Sequence, residues 1–575
     1  ATVEERLKKG QRSSKFKVFN EYKNDRLSLG QKIAIVTNCI FGVDLDEKAV
    51  ELAQLNLLLK LLEDEQPTAH KHVLPVMKDN IKCGNSLIDD PVVADDKAFR
   101  YEAQFPNIFR AEGFDVVVGN PPYVRIQTLN KKDVSYFNSK YKAASGGNYD
   151  IYVLFVERGL DVLNPKGKLG FILPHKFFNS KYGEGLRGLI SEGKHLKKVV
   201  HFGDQQVFDG VATYTCLMFL NKSAVDHCHV VKVDNLEAWR AEGKSTEGEI
   251  PSANITTSEW NFAVGAGAVL FERLRQMPVK LENVTSRIFQ GIKTSADKIY
   301  IVEELEHKTS KIKVHSKEKD AEYWLESDLL HPLIKGGDSK RYYLAHTNRL
   351  ILFPYVKRSD ASELIPETEF KTCYPLTWTY LLDNKSYLEH REDGKMHGPG
   401  WYAYGRNQAL DVMPLPKIFT PDIAPNARYS LDASGEIFFT GGAAGGYGIL
   451  VDKAFNREYI LGLLNCKLLD WFHHQMATQM RGGWYSYESR FIYSLPIRVI
   501  NHSNPNDKAA HDRIVSLVNQ MLSLQKKLHD PKLAGNEKER LEQQIKQIDW
   551  EIDQDVYKLY GITPEEKKII EESLK

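Results

Sequence analysis

Cysteine is scarce in this sequence: six in 575 residues (Cys39, Cys83, Cys216, Cys228, Cys373 and Cys466), with no Cys-x-x-Cys pair. That scatter argues against a disulfide framework or a zinc knuckle and fits a reducing, cytoplasmic environment. Long apolar runs are also missing. The longest, around Leu55–Leu62 and Tyr214–Leu220, fall well short of the roughly 18 residues of a membrane span, so no membrane association is expected. Ala1–Gly10 is charged and has no signal-peptide core. There is almost no charge imbalance: 77 Lys and Arg against 76 Asp and Glu leave a net +1. A polyanion would therefore have to be met by a local basic surface. His227-Cys228-His229 and His473-His474 lack metal-ligand spacing, and no metal is expected. Phe439–Tyr447 is rich in glycine, but no Gly-Lys-Ser/Thr follows it, which excludes a P-loop. Internal repeats and low-complexity tracts are absent.

What is present is an ordered alternation. The length predicts two to four domains. In the first third, apolar runs at Asn38–Leu45, Phe114–Gly119, Lys168–Leu173 and Tyr214–Leu220 read as buried strands, while Glu47–Leu62 and Tyr152–Leu163 have helical periodicity. Strands separated by helices predict an α/β fold with a doubly wound, mostly parallel sheet. Residues 1–235 are assigned to this domain and the polar stretch 236–280 to a connector. Residues 281–500, with short apolar runs punctuated by Gly, Pro and aromatics, predict a mixed α/β, β-rich second domain. Residues 501–575 predict a helical hairpin, most simply a solvated one.

The chemistry-bearing segment is Asn120-Pro121-Pro122-Tyr123, directly after the strand Phe114–Gly119. Ligands of such sheets bind at the carboxyl ends of the strands. An exocyclic amino nitrogen is a poor nucleophile because its lone pair is conjugated with the ring. Two acceptors aimed at its N–H bonds free that lone pair, and the Asn120 amide oxygen and the Pro121 carbonyl can be those acceptors. The prolines fix φ and hold the carbonyl rigidly. Tyr123 offers a flat face for a base swung out of a duplex. The bland alternative is a turn after a strand, since Asn and Pro favour turns.

Gly119-Asn120-Pro121-Pro122-Tyr123 is the hallmark of amino-methyltransferases that use S-adenosyl-L-methionine. From about Ile33 onward the chain resembles the γ-class N6-adenine DNA methyltransferases of type II restriction-modification systems with a fused target recognition domain. The matching stretches include IFGVDLDEKAVELAQLNLLL, CGNSL, FDVVVGNPPYVR, QVFDGVATYTCLMF, FQGIKTSADKIYIV, PLIKGGDSKRY, WYAYGRNQAL and DVYKLYGITPEE. The resemblance implies a Rossmann-like methyltransferase domain and double-stranded DNA as partner. It implies that Asp44 binds the cofactor ribose hydroxyls and that Leu45 also lies at the cofactor, that Asn85 and Ser86 meet its adenine, and that Asn120 serves both cofactor and substrate. It further implies that Phe208 stacks on the flipped base opposite Tyr123. The alternatives are a helix cap for Asp44 (Asp46 being the better cap), a polar loop for Asn85 and Ser86, and a core position for Phe208.

One family element has no counterpart. The glycine-rich turn that holds the methionine end of the cofactor should lie upstream of Asn38, yet Ala1–Thr37 is polar and lysine-rich. The expectation is a chain beginning after that element, with the first strand of the sheet missing and weak cofactor binding. A nuclease domain or subunit upstream in the parent protein is compatible with the resemblance. Competing functions are an Asn-Pro-Pro-Tyr methyltransferase acting on a protein glutamine or an RNA base, or a non-catalytic DNA-binding relic. About three hundred residues after the catalytic half suit the reading of several base pairs. Tyr402–Asn407 and Arg481–Tyr485, which mix Arg, Gly and aromatics, are candidate DNA-contacting loops, with exposed loop aromatics of no special role as the equal alternative.

Overall fold

The computed structural model describes residues 27–63, 75–144, 147–208, 213–358, 361–480, 482–531, 533 and 535–574. The stretch 1–26, where the glycine-rich turn was sought, and Arg481 of the candidate loop 481–485 lie outside them. The chain divides after Phe262 into two compact units.

The first unit opens with α1 (Leu29–Cys39), β1 (Gly42–Asp44) and α2 (Glu47–Leu62). The strand expected over Asn38–Leu45 is only three residues long because α1 runs through Asn38 and Cys39. The side chain of Asn80 ends the helix by donating to the carbonyls of Thr37 and Ile40 at 2.8 and 3.0 Å, which satisfies C-terminal acceptors. Asp46 caps α2, its Oδ1 accepting from the Lys48 and Ala49 N–H groups at 2.8 and 3.4 Å. β2 (Ile81–Cys83) runs parallel to β1, with Cys83 opposite Asp44.

A six-stranded sheet follows, built from β3 (Phe114–Gly119), β4 (Leu163–Pro174), β5 (Leu196–His201), β6 (Thr215–Asn221), β7 (His227–Lys232) and β8 (Thr246–Pro251). Its order is β3-β4-β6-β5-β7-β8. β3 and β4 are parallel, as are β5 and β7, whereas β6 and β8 run against their neighbours. α3 (Tyr152–Asp161) is the helix of the β3–β4 crossover and buries Tyr152, Val153, Leu154, Val156 and Leu160, as a parallel pair requires. Two expectations change here. The stretch assigned to a connector supplies a helix at Leu236–Glu242 and the strand β8, whose polar residues suit an edge. The Phe114–Gly119 run is not buried. Among the described residues β3 has no partner on its outer side, and Val116 and Val118 are 57% and 76% exposed.

The second unit contains a six-stranded sheet with the hairpins of Ile301–Lys308, Lys311–Ser316 and Ala321–Glu326 at one side. It also holds a four-stranded antiparallel sheet in which Lys417–Pro421 lies between Ser430–Asp432 and Gly446–Val451. The long helices Pro505–Leu528 and Gly535–Leu559 and the shorter Pro564–Ser573 close it. These helices are not a solvated hairpin. Ile514, Leu517, Val518, Met521, Ile552, Val556 and Ile570 enter the same core as Ile460, Leu464 and Trp471. Arg341 donates to Asp549 at 2.7 Å and tethers the second long helix. Among the described residues no helix is long and apolar enough to cross a membrane, and no group of His, Cys, Asp and Glu is arranged to hold a metal ion.

Candidate active site

Asn120–Tyr123 leave the sheet at the carboxyl end of β3, where Gly119 is opposite Phe171 of β4. A Cβ on Gly119 would come within 3.1 Å of the Phe171 ring, so glycine lets that ring pack under the turn. Pro121 is buried, Asn120 and Pro122 are exposed and Tyr123 is half-buried. The Tyr123 hydroxyl donates to Asn120 Oδ1 at 2.8 Å and lies 3.3 Å from the carbonyl oxygen of Ile172. Its ring meets Tyr152 edge-on at 6.3 Å. Burial, with Cys216 adding to it, pushes the Tyr123 phenol up to about 12, so it is a neutral donor at physiological pH.

The turn is held on both sides. Ile151 N–H donates to Val124 O, and Ile126 N–H to Tyr149 O, both at 2.9 Å. These bonds tie the segment after Tyr123 to the start of α3. Tyr152, fully buried, is fixed through a 2.8 Å contact between its hydroxyl and that of Tyr182. Beyond β4, the buried Arg187 donates to the carbonyls of Phe177, Ser180 and Thr257 at 2.5, 2.8 and 3.0 Å, fixing the next loop on the same rim. Sequence reasoning missed Tyr152, Tyr182, Arg187 and the Ile172 carbonyl. Only the aromatic spacing after Asn148 offered a hint of Tyr152.

The residues assigned to the cofactor are brought together at the carboxyl ends of β1 and β2. Asp44 and Leu45 are exposed. Asp44 O accepts from Gly84 N–H at 2.8 Å, and Asp44 Oδ1 accepts from Asp46 N–H at 2.9 Å. A carboxylate has about four acceptor sites, so Asp44 retains capacity for hydroxyl groups. Asn85 Oδ1 accepts from Leu87 N–H at 3.0 Å, leaving its amide hydrogens available. Burial raises the pKa of the Tyr101 phenol, and the neighbouring Ser86 hydroxyl opposes that rise. This group stands next to β3 through ring contacts of Phe41 and Phe105 with Phe114 at 5.9 and 5.7 Å. Phe208 lies in the loop after β5 and is half-buried. No ring contact joins it to Tyr123 among the described residues.

Residues 38–208 match the family model of the Eco57I restriction-modification methylase. The chain is 31% identical over 516 residues to the type II restriction enzyme and methyltransferase RM.Eco57I of Escherichia coli, covering 85% of this chain and 51% of that protein. It is 22% identical to the type II methyltransferase M.BstVI of Geobacillus stearothermophilus, over 80% of this chain and 76% of the relative. The fold resembles that of the Type IIL restriction-modification enzyme MmeI, solved in complex with DNA, with a TM-score of 0.57 at 14% identity over 92% of this chain and 65% of that one. The chain spans about half the length of RM.Eco57I.

Proposed function

We propose that this chain is the modification and specificity part of a restriction-modification enzyme, methylating adenine N6 at a specific site in double-stranded DNA. The observation that carries the reading is the Asn120-Pro121-Pro122-Tyr123 turn at the carboxyl end of β3, with Asp44, Asn85 and Ser86 gathered at the carboxyl ends of the parallel pair β1–β2. Asn120 and the Pro121 carbonyl accept the two amino hydrogens of a flipped adenine and localise its lone pair. Tyr123 and Phe208 hold the ring between them. Much of the rate then comes from alignment.

The methyl donor is S-adenosyl-L-methionine, whose sulfonium supplies an electrophilic methyl group. Asp44 and Leu45 face its ribose, and Asn85 and Ser86 its adenine. The unsatisfied capacity of Asp44 and the free amide hydrogens of Asn85 fit those groups. Among the described residues of the first unit, no glycine-rich turn is found for the methionine end. Residues 281–500 read the DNA sequence, and 501–575 brace that region. The relatives named as type II methyltransferases support DNA as substrate over a protein glutamine or RNA. RM.Eco57I is named as both restriction enzyme and methyltransferase, which supports a nuclease as a partner of this activity. The test is Asn120→Ala in the full-length protein. Methyl incorporation into duplex DNA falls by orders of magnitude while duplex affinity stays within about twofold, a factor that corresponds to less than 1 kcal/mol. Wild-type turnover in that variant would end the assignment.

A further inference from the structure

The Tyr123 hydroxyl has one hydrogen and two acceptors in reach, Asn120 Oδ1 at 2.8 Å and the Ile172 carbonyl at 3.3 Å. A phenol can donate to one of them fully and accept a hydrogen bond at the same time. Its ring is wedged edge-on against the fully buried Tyr152, and its backbone is clamped by the Ile151–Val124 bond, so the hydroxyl cannot swing away. Asn120, by contrast, is exposed, and rotation about its last bond exchanges an acceptor oxygen for a donor nitrogen. Only the oxygen end can receive the hydrogens of an amino group. The nitrogen end would oppose it donor to donor.

We propose that the Tyr123 hydroxyl is a positioning group that decides which end of the Asn120 amide meets the target amino group. This rests on the reading that Asn120 receives that group. Without substrate, the hydroxyl donates to Asn120 Oδ1, as observed. When an amino group arrives, the amide turns over. Its oxygen accepts the substrate N–H, its NH2 donates to the Tyr123 oxygen, and the phenol hydrogen passes to the Ile172 carbonyl. Every hydrogen bond of the free state is replaced, and the amide is locked with its oxygen toward the substrate. The hydroxyl therefore has a role separate from the flat face of the ring.

Tyr123→Phe keeps the ring and removes the relay. The experiment uses the full-length protein and duplexes carrying its own methylation site, with either adenine or unsubstituted purine, which lacks the amino group, at the target position. The wild type is expected to bind the adenine duplex more tightly than the purine duplex. In Tyr123→Phe this preference collapses toward unity, single-turnover methylation slows roughly tenfold, the cost expected for one hydrogen bond, and the melting temperature and affinity for the purine duplex stay unchanged. A Phe variant that matches the wild type in rate and preference overturns the proposal. So does one that is slower but melts earlier and keeps its preference, which would make the hydroxyl a stabilising contact only. Failure of the underlying reading shows separately, as a wild type that neither prefers adenine nor methylates it.

Discussion

Asp432→Asn removes the counter-charge of a fully buried ion pair in the second unit. Lys417 Nζ lies 2.6 Å from Asp432 Oδ2, and both side chains are 1% exposed. Lys417 also donates to the carbonyls of Met413 and Leu415 at 2.8 and 3.2 Å. Asp432 accepts from Gly435 N–H, Ser434 Oγ and Ile437 N–H at 2.9, 3.1 and 3.2 Å. Asparagine keeps the shape, but its NH2 replaces one acceptor oxygen, so the charge is lost together with the hydrogen bonds that oxygen received. Leaving a buried charge unpaired costs about 3–5 kcal/mol, read as a lower denaturation midpoint for this unit at pH 7. Burial already holds the Lys417 ammonium below the usual lysine range, opposed by Asp432; without Asp432 it falls further. A lysine with a depressed folded pKa destabilises most below that pKa. The penalty fades as pH rises through it and is gone above the unfolded value of about 10.4. The deficit of the variant should therefore narrow between pH 7 and pH 10. A deficit below about 0.5 kcal/mol at pH 7, the scale of ordinary surface changes, or one that widens with pH, would refute this reasoning.

Other expectations concern ligands. Asp44→Asn should weaken binding of adenosine, which presents only ribose and base, by about tenfold or more in calorimetry, because a charge-assisted hydrogen bond is lost. The melting temperature should hold, since Asp46 is the cap of α2; equal adenosine affinity would remove Asp44 from the site. Exchanging residues 281–500 between two close relatives should exchange the DNA sites they methylate, read by sequencing modified DNA, and sites that stay with the first unit would contradict the division of labour. Duplex affinity should fall steeply with added salt as phosphate contacts release counterions; a flat salt response would argue against a phosphate-tracking surface.

The placement of the candidate residues at strand ends was legible because each signal is local. Asn120–Tyr123 follow a recognisable strand directly, and Asp46 precedes a periodic helix, so four or five neighbouring residues carry each inference. What failed depends on distant partners. The Phe114–Gly119 run has a buried strand's composition, but its exposure is set by what lies beside it, and no sequence window contains that. β8, Thr-Glu-Gly-Glu-Ile-Pro, reads as polar connector because only its pairing with β7 makes it a strand. In the second unit, Phe438–Phe439 pairs parallel with Leu333–Ile334 across about a hundred residues of chain, a register no periodicity announces. In the C-terminal helices a buried stripe is masked by charge. Ile514, Leu517, Val518 and Met521 lie on one face at helical spacing, while the charged residues between them give the segment the composition of a solvated helix.

The central claim is tested most directly by identifying the methylated product. Duplex DNA is incubated with the full-length protein and labelled S-adenosyl-L-methionine, digested to nucleosides and analysed by mass spectrometry, with Asn120→Ala alongside. The account predicts label in N6-methyladenine at one sequence, lost in the variant although it still binds the duplex. Label in N4-methylcytosine, in RNA or in a protein glutamine, or N6-methyladenine that survives Asn120→Ala, would contradict it.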